Sequence, residues 1–179
     1  GIGVLWARKE SLEGAPPFLT GGDMIEDVYL RSSSFTGPPR RFEAGTPHIA
    51  GAAGLAAAVD FLSSFERKEL REQERHCTSR ARELLRGIEG IRLYGPDDIE
   101  QASSVVSFTH EDVHPHDVGT LLSEEAIAVR AGLHCAHPYV RLLGTEGTVR
   151  ASFGMYTSER DIDRLAEALV KVNRIFKGS

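Results

Sequence analysis

From residue 88 onward the apolar residues change period in a fixed order: strand, strand, helix, strand, strand, helix. Ile91–Tyr94 and Val105–Thr109 are short β-rich runs separated by the turn signal Gly95-Pro96-Asp97-Asp98. Pro115 suits a helix start, with Val118, Leu121 and Leu122 along one side. A strand is expected over 127–130, from the apolar run Ile127-Ala128-Val129 into Arg130. Thr148–Phe153 alternates, with Val149 and Ala151 on one face and Arg150 and Ser152 on the other. Ser158 with Asp161 resembles a capping box for a last helix through Ile162, Leu165, Leu169 and Val172. This order fits an α/β sandwich, a small antiparallel or mixed sheet covered by helices.

Upstream, a charged amphipathic helix is expected from about Glu66 to Arg86, with Leu70, Cys77, Ala81 and Leu84 on its apolar face. A second helix is expected to open at Gly45-Thr46-Pro47, Thr46 as N-cap and Pro47 in the first helical position, continuing through Leu55, Val59 and Leu62. Its start is also a candidate anion site, against the plainer reading of a simple cap. Residues 14–40 are rich in Gly, Pro, Ser and Thr and read as a long loop, with one short strand near Asp27–Leu30. Gly1-Ile2-Gly3-Val4-Leu5-Trp6 reads as the middle of a buried strand in need of a sheet, which suggests the C-terminal part of a larger protein. The expected divisions are 1–44, 45–65 and 66–179.

Charge and cysteine content narrow the function classes. A net charge of -5 offers no basic surface for nucleic acid or an anionic membrane. The longest apolar stretch, Ala52 to Val59, stops at Asp60 and is too short to span a bilayer. Two cysteines, Cys77 and Cys135, make no disulfide framework, and a reducing, cytoplasmic setting is expected. Cys77 falls on a helix face that reads as core.

Cys135 has a different setting: Arg130-Ala131-Gly132-Leu133-His134-Cys135-Ala136-His137-Pro138 follows a strand and places the thiol between two histidines in a loop. A thiol reacts as its thiolate, which cationic and hydrogen-bonding neighbours favour. Read from these residues alone, a chemical role and an inert small hydrophobe are both open. A zinc site from Cys135, His134, His137 and His116 or His114 is a rival, weakened by the adjacency of His134 and Cys135 and by the lack of a CxxC pair.

Several motifs then stand in register. Arg41-Phe42-Glu43-Ala44-Gly45-Thr46-Pro47, the Cys135 loop, Val149-Arg150-Ala151-Ser152-Phe153 and Tyr156-Thr157 together resemble the C-terminal part of the class V aminotransferase-like, pyridoxal-phosphate-dependent cysteine desulfurases, of the SufS type. The resemblance covers the whole chain. It implies the end of a large cofactor-binding domain over 1–44, an interdomain helix over 45–65 and a small C-terminal α/β domain over 66–179. It implies a reaction that takes sulfur from L-cysteine, leaving L-alanine and a persulfide on the enzyme, for iron–sulfur cluster assembly. Cys135 matches the nucleophile, His134 a histidine beside it, and Arg150 the arginine that clamps the substrate carboxylate; otherwise a surface ion pair would be the plainer reading of Arg150. Arg130 matches another arginine near the site. Gly45 and Thr46 match the segment that reaches the cofactor phosphate of the neighbouring subunit, which implies a homodimer. His116, otherwise a plain helix-start histidine, matches a residue of enzymes that pass sulfur to zinc-containing SufU partners in place of SufE partners.

Three departures stand beside the match. The cofactor-anchoring lysine of the family lies in a Ser-x-His-Lys motif, and none of Lys9, Lys68, Lys171 and Lys177 sits in one, so the chain by itself is expected to be inactive and to bind no cofactor. Leu133 stands where SufS enzymes often carry a first histidine, a variant also found in related branches. His48 replaces an asparagine common after Thr-Pro. A selenocysteine lyase or an aminotransferase are the rival activities; transamination needs no thiol nucleophile.

Overall fold

The structure is a computed structural model that describes residues 1–177. Its internal contacts separate two compact units, Gly1–Phe65 and Glu66 onward, and each is taken by itself.

The second unit is built on a four-stranded antiparallel sheet of β3 (Ile91–Tyr94), β4 (Val105–His110), β5 (Arg130–Gly132) and β6 (Thr148–Ser152), in the order β3-β4-β6-β5. Helices α3 (Arg67–Arg86) and α4 (Pro115–Glu124) pack against the sheet, and α6 (Glu159–Lys177) packs against both. Strand alternation explains the covered face: Val106 and Phe108 of β4 and Val149 and Ala151 of β6 are buried, while Ser107 and Arg150 face the other way. Against them lie Cys77, Ala81 and Leu85 of α3, Val118 and Leu122 of α4, and Ile162, Leu165 and Leu169 of α6. A fully buried Leu, Ile or Phe contributes about 1.5–3 kcal/mol, so this face holds the unit together. No single helix among the described residues is long and apolar enough to cross a membrane.

The expected capping box forms. The Ser158 N–H and Oγ–H donate to Asp161 Oδ2 at 2.9 and 2.7 Å. The last helix follows with Ile162, Leu165, Leu169 and Val172 buried on one stripe.

Two local expectations shift here. The apolar run 127–129 does not pair; the ladder begins at Arg130, opposite Arg150, and ends with Gly132 opposite Thr148. Ile127 donates its N–H to the Leu122 carbonyl and so closes α4, and Ala126 turns at φ +56. Ile127 and Val129 therefore satisfy their apolar character against the core without joining the sheet. The loop expected after Cys135 is short, because α5 (His137–Leu142) starts at once, with Pro138 tolerated in its first turn.

In the first unit, residues 1–8 carry no regular structure, and Val4, Leu5 and Trp6 are about 80% exposed. A strand needs a neighbour for its backbone groups, and these residues pair with none among the described residues. The stretch 14–40 is less irregular than expected. β1 (Ile25–Val28) and β2 (Ser33–Phe35) form an antiparallel hairpin between a short helix, α1 (Lys9–Glu13), and a 3-10 turn at Arg40–Phe42. Arg41 ties the pieces by donating to the carbonyls of Thr36 and Glu13, both at 2.9 Å. Helix α2 (Ile49–Ser63) begins later than expected, with His48 and not Thr46 at its N-cap position. Gly45, at φ +81, turns the chain ahead of it, and the His48 ring folds over the first turn, where a methyl group on Gly51 would overlap it. None of the α2 side chains is buried, and Ile49, Val59, Phe61 and Leu62 are exposed.

Candidate active site

The uncovered face of the four-stranded sheet collects the candidate residues of the second unit. Register places Arg150 on β6 between Ser107 of β4 and Arg130 of β5. After β5 the backbone makes an unusual turn: Gly132 lies at φ +114, His134 at +53 and Cys135 at +58. Two successive non-glycine residues in the left-handed region are uncommon and persist only where neighbouring contacts hold them.

For His134 the contact is visible. Its Nε2 lies 3.0 Å from the Thr148 carbonyl oxygen and 2.8 Å from Thr148 Oγ1. The carbonyl can only accept, so Nε2 carries the proton and Nδ1 is a bare lone pair, buried and without a partner. Burial first, then the guanidiniums of Arg150 and Arg130, hold the imidazole below the ordinary histidine range, opposed by the bond to the Thr148 carbonyl. His134 is therefore a neutral post that pins the loop to β6. The residue that holds it, Thr148, is buried and was not singled out from sequence; its outward position on an alternating strand is the signal that points to it.

The pinned loop leaves Cys135 exposed, with the Arg130 guanidinium donating to its Sγ at 3.6 Å. Cys77, by contrast, is fully buried; burial first, then Glu159 and Asp161, push its thiol up. Arg150 is half-buried, and its Nε is buried with no acceptor. An orphan guanidinium N–H is a ready partner for a carboxylate.

His116 also joins this group. It lies in the first turn of α4, where the N-cap is His114: its Nδ1 accepts the His116 N–H, and the two rings stack with centroids 5.3 Å apart. The His116 ring also lies against the base of the Cys135 loop, since a Cβ built on Gly132 would sit 3.4 Å from its Cε1. The rival zinc set does not assemble: among the described residues no three His, Cys, Asp or Glu side chains are grouped to hold a metal ion. Gly45 and Thr46 belong to the first unit. There the Gly45 N–H is already bonded to the Gly22 carbonyl at 2.8 Å, and Thr46 is exposed.

Comparison with known proteins adds the family. A probable cysteine desulfurase of Streptomyces coelicolor is 46% identical over 176 residues, 98% of this chain and 42% of the relative. The apo cysteine desulfurase of Thermococcus onnurineus NA1 superposes with a TM-score of 0.89 at 39% identity, over 97% of this chain and 42% of that one. C-DES, in a mutant with glycine covalently linked to its pyridoxal phosphate cofactor, shares the fold at 21% identity and a TM-score of 0.72, over 92% of this chain and 40% of its own. The chain thus spans about two-fifths of the length of the proteins it matches. The family model for aminotransferase class V matches residues 1–165, and this chain belongs to that family.

Proposed function

We propose that this chain is the thiol-bearing C-terminal part of a pyridoxal-phosphate-dependent cysteine desulfurase of the SufS type. One observation carries the reading: an exposed Cys135, held on a left-handed turn beside the Arg130 guanidinium, shares a sheet face with the buried, unpartnered Nε of Arg150. In this reading residues 1–44 end the large domain, 45–65 form the helix between domains and 66–179 are the small domain.

The residues present fit part of a cofactor site. Thr46 offers an exposed hydroxyl that would serve the cofactor phosphate of the neighbouring subunit in a homodimer, and Gly45 supplies the turn ahead of it. Arg150 offers a donor to the carboxylate of the amino acid. Pyridoxal phosphate, when bound, supplies the electron-withdrawing ring that weakens the substrate carbon–sulfur bond. The chain's own residues do the rest. Arg150 clamps the L-cysteine carboxylate and orients its sulfur toward the loop. The Cys135 thiolate attacks that sulfur, so that a sulfur–sulfur bond forms as the carbon–sulfur bond breaks. The electron pair left on carbon takes a proton, and the products are L-alanine and a Cys135 persulfide. Arg130 donates a hydrogen bond to the attacking sulfur and so holds it in place, and His134 keeps the turn in position.

His116, beside this loop, suits delivery to a zinc-containing acceptor of the SufU type rather than a SufE type. A neutral imidazole can replace a cysteine ligand on the partner's zinc and release a thiolate to take the persulfide sulfur. Iron–sulfur cluster assembly in the cytoplasm is the role that goes with such a transfer. The test uses the full-length enzyme. Cys135→Ala is expected to abolish persulfide formation while the cofactor stays bound, and sulfur transfer at the parent rate overturns the assignment. His116→Ala is expected to keep the Cys135 persulfide but lose stimulation of alanine release by a zinc-loaded acceptor; undiminished stimulation leaves His116 a plain helix-start residue.

A further inference from the structure

His114 stands beside the proposed transfer residue His116 and has no part in the reading above. It is exposed, sits at the N-cap of α4, and is followed by Pro115 in the first helical position. A residue before proline is pushed to extended backbone. His114 conforms, at φ -61 and ψ 140, and its carbonyl accepts the N–H groups of Asp117 and Val118 at 2.9 and 3.1 Å. The backbone that carries the His114 ring is thereby fixed.

The side chain makes two separate contacts with His116. Its Nδ1 accepts the His116 N–H, in a long bond of 3.3 Å. Its ring stacks on the His116 ring, with centroids 5.3 Å apart and planes inclined by 24°. Serine or asparagine makes the better cap, but neither has a ring to stack. A stacked ring contact shifts a side-chain equilibrium roughly 2- to 12-fold. The cap is therefore the replaceable part of His114, and the ring is not. The Cε1–Nε2 edge of His116 meanwhile lies at the base of the Cys135 loop, since a Cβ built on Gly132 would stand 3.4 and 3.5 Å from those two atoms. His116 is exposed, and an exposed imidazole without such contacts samples several rotamers. A side chain ordered only on binding weakens the interaction it makes, and one ordered beforehand does not.

We propose that His114 is a positioning residue: its ring holds the His116 imidazole at the base of the Cys135 loop, so that the imidazole is ordered before the zinc of an acceptor protein arrives. The exchange breaks one zinc–thiolate bond on the acceptor and forms one zinc–imidazole bond. The thiolate leaves with its electron pair, and nothing is oxidised or reduced. The proposal rests on the transfer role given to His116 above.

The test separates cap from ring in the full-length enzyme. His114→Asn keeps an N-cap and removes the ring, whereas His114→Phe keeps a ring and removes the acceptor atom. Stability by urea unfolding is expected to follow the cap, with His114→Phe the less stable variant. Transfer is expected to follow the ring. Stimulation by a zinc-loaded acceptor is read as alanine release with the acceptor over release without it. It is expected to fall roughly 2- to 12-fold in His114→Asn and to stay near the parent value in His114→Phe. An acceptor loaded with cobalt gives a second readout, because replacing a thiolate ligand by an imidazole lowers the thiolate-to-cobalt absorbance on mixing. That drop is expected to need several-fold more enzyme in His114→Asn but not in His114→Phe. Undiminished stimulation in His114→Asn, or a loss in His114→Phe as large as in His114→Asn, overturns the proposal. If circular dichroism shows His114→Phe unfolded, His114→Asn decides alone. His116→Ala separates the two readings. If it leaves stimulation and the cobalt spectrum as in the parent, the transfer role of His116 fails; if it abolishes both while His114→Asn keeps both, the positioning role alone fails.

Discussion

Gly132→Ala is the substitution that most directly tests how the Cys135 loop is built. Gly132 closes the β5 ladder opposite Thr148 and lies at φ +114, beyond the left-handed helical well that other residues visit. Steric overlap is not the main cost. The new methyl would sit 3.4 and 3.5 Å from Cε1 and Nε2 of His116, near ordinary contact. The cost lies in the backbone, at about 1–3 kcal/mol for a side chain held in such a region. That corresponds to a roughly 5- to 150-fold rise in the local opening constant. Relaxing the strain by shifting the backbone is obstructed, since Gly147 lies so close that its own Cβ would stand 3.2 Å from Gly132 Cα. Gly144→Ala is the control: at φ +73, with nothing within 4 Å of the added methyl, it carries the left-handed penalty of about 1 kcal/mol without a crowded neighbour. Amide hydrogen exchange read by mass spectrometry on peptides covering β5 and β6 measures the effect where it arises. Unchanged protection of these strands in Gly132→Ala, or a loss no larger than in Gly144→Ala, refutes the reasoning.

The neutral state of His134 has a pH signature. Its folded pKa lies below its unfolded value, so the stability it confers is complete above about pH 6.5 and is lost as pH falls through the folded pKa. His134→Gln is expected to flatten this acid limb, read as denaturant midpoints between pH 7.5 and 5, and an unchanged acid sensitivity contradicts it. Ser158→Ala removes the cap of α6 and is expected to cost about 1 kcal/mol by urea unfolding followed in the far ultraviolet, whereas a change near zero means that the box adds nothing. Arg150→Lys in the full-length enzyme is expected to lower kcat/KM for L-cysteine about tenfold or more while the cofactor absorbance persists, because an ammonium cannot copy the two-pronged contact. An unchanged kcat/KM removes Arg150 from substrate binding.

Legibility from sequence followed the physical origin of each element. α6 and β6 were readable because local signals agree with tertiary burial: Ser158 and Asp161 cap the helix, and Val149 and Ala151 alternate with Arg150. β5 was misplaced because apolar character marks burial, not pairing; Ile127 and Val129 are packed but unpaired, while Arg130 is polar and paired. The start of α2 was misplaced because a Thr-Pro pair competes with the glycine before it, whose positive φ sends the chain around before the helix begins. At the candidate site, Cys135 stands out by loop chemistry, whereas Arg150 stands out only through the resemblance, its outward place on β6 being equally that of a surface ion pair. Thr148 does not, because it acts through an imidazole that it meets only in the fold.

The contrast between the two thiols has a practical consequence for spectroscopy. Cys77 is sealed in the core with its thiol pushed toward the protonated form, whereas Cys135 is open to solvent on a turn. Reagents that alkylate thiolates discriminate by access and ionisation. A maleimide fluorophore or nitroxide added to the untouched chain at neutral pH is therefore directed to one atom, the Cys135 sulfur, with no cysteine to be engineered in or out. The labelling stoichiometry reports the integrity of the core, since a second equivalent reacts only when Cys77 becomes accessible. The mobility of the attached probe reports, in real time, the motion of the left-handed turn that carries Cys135.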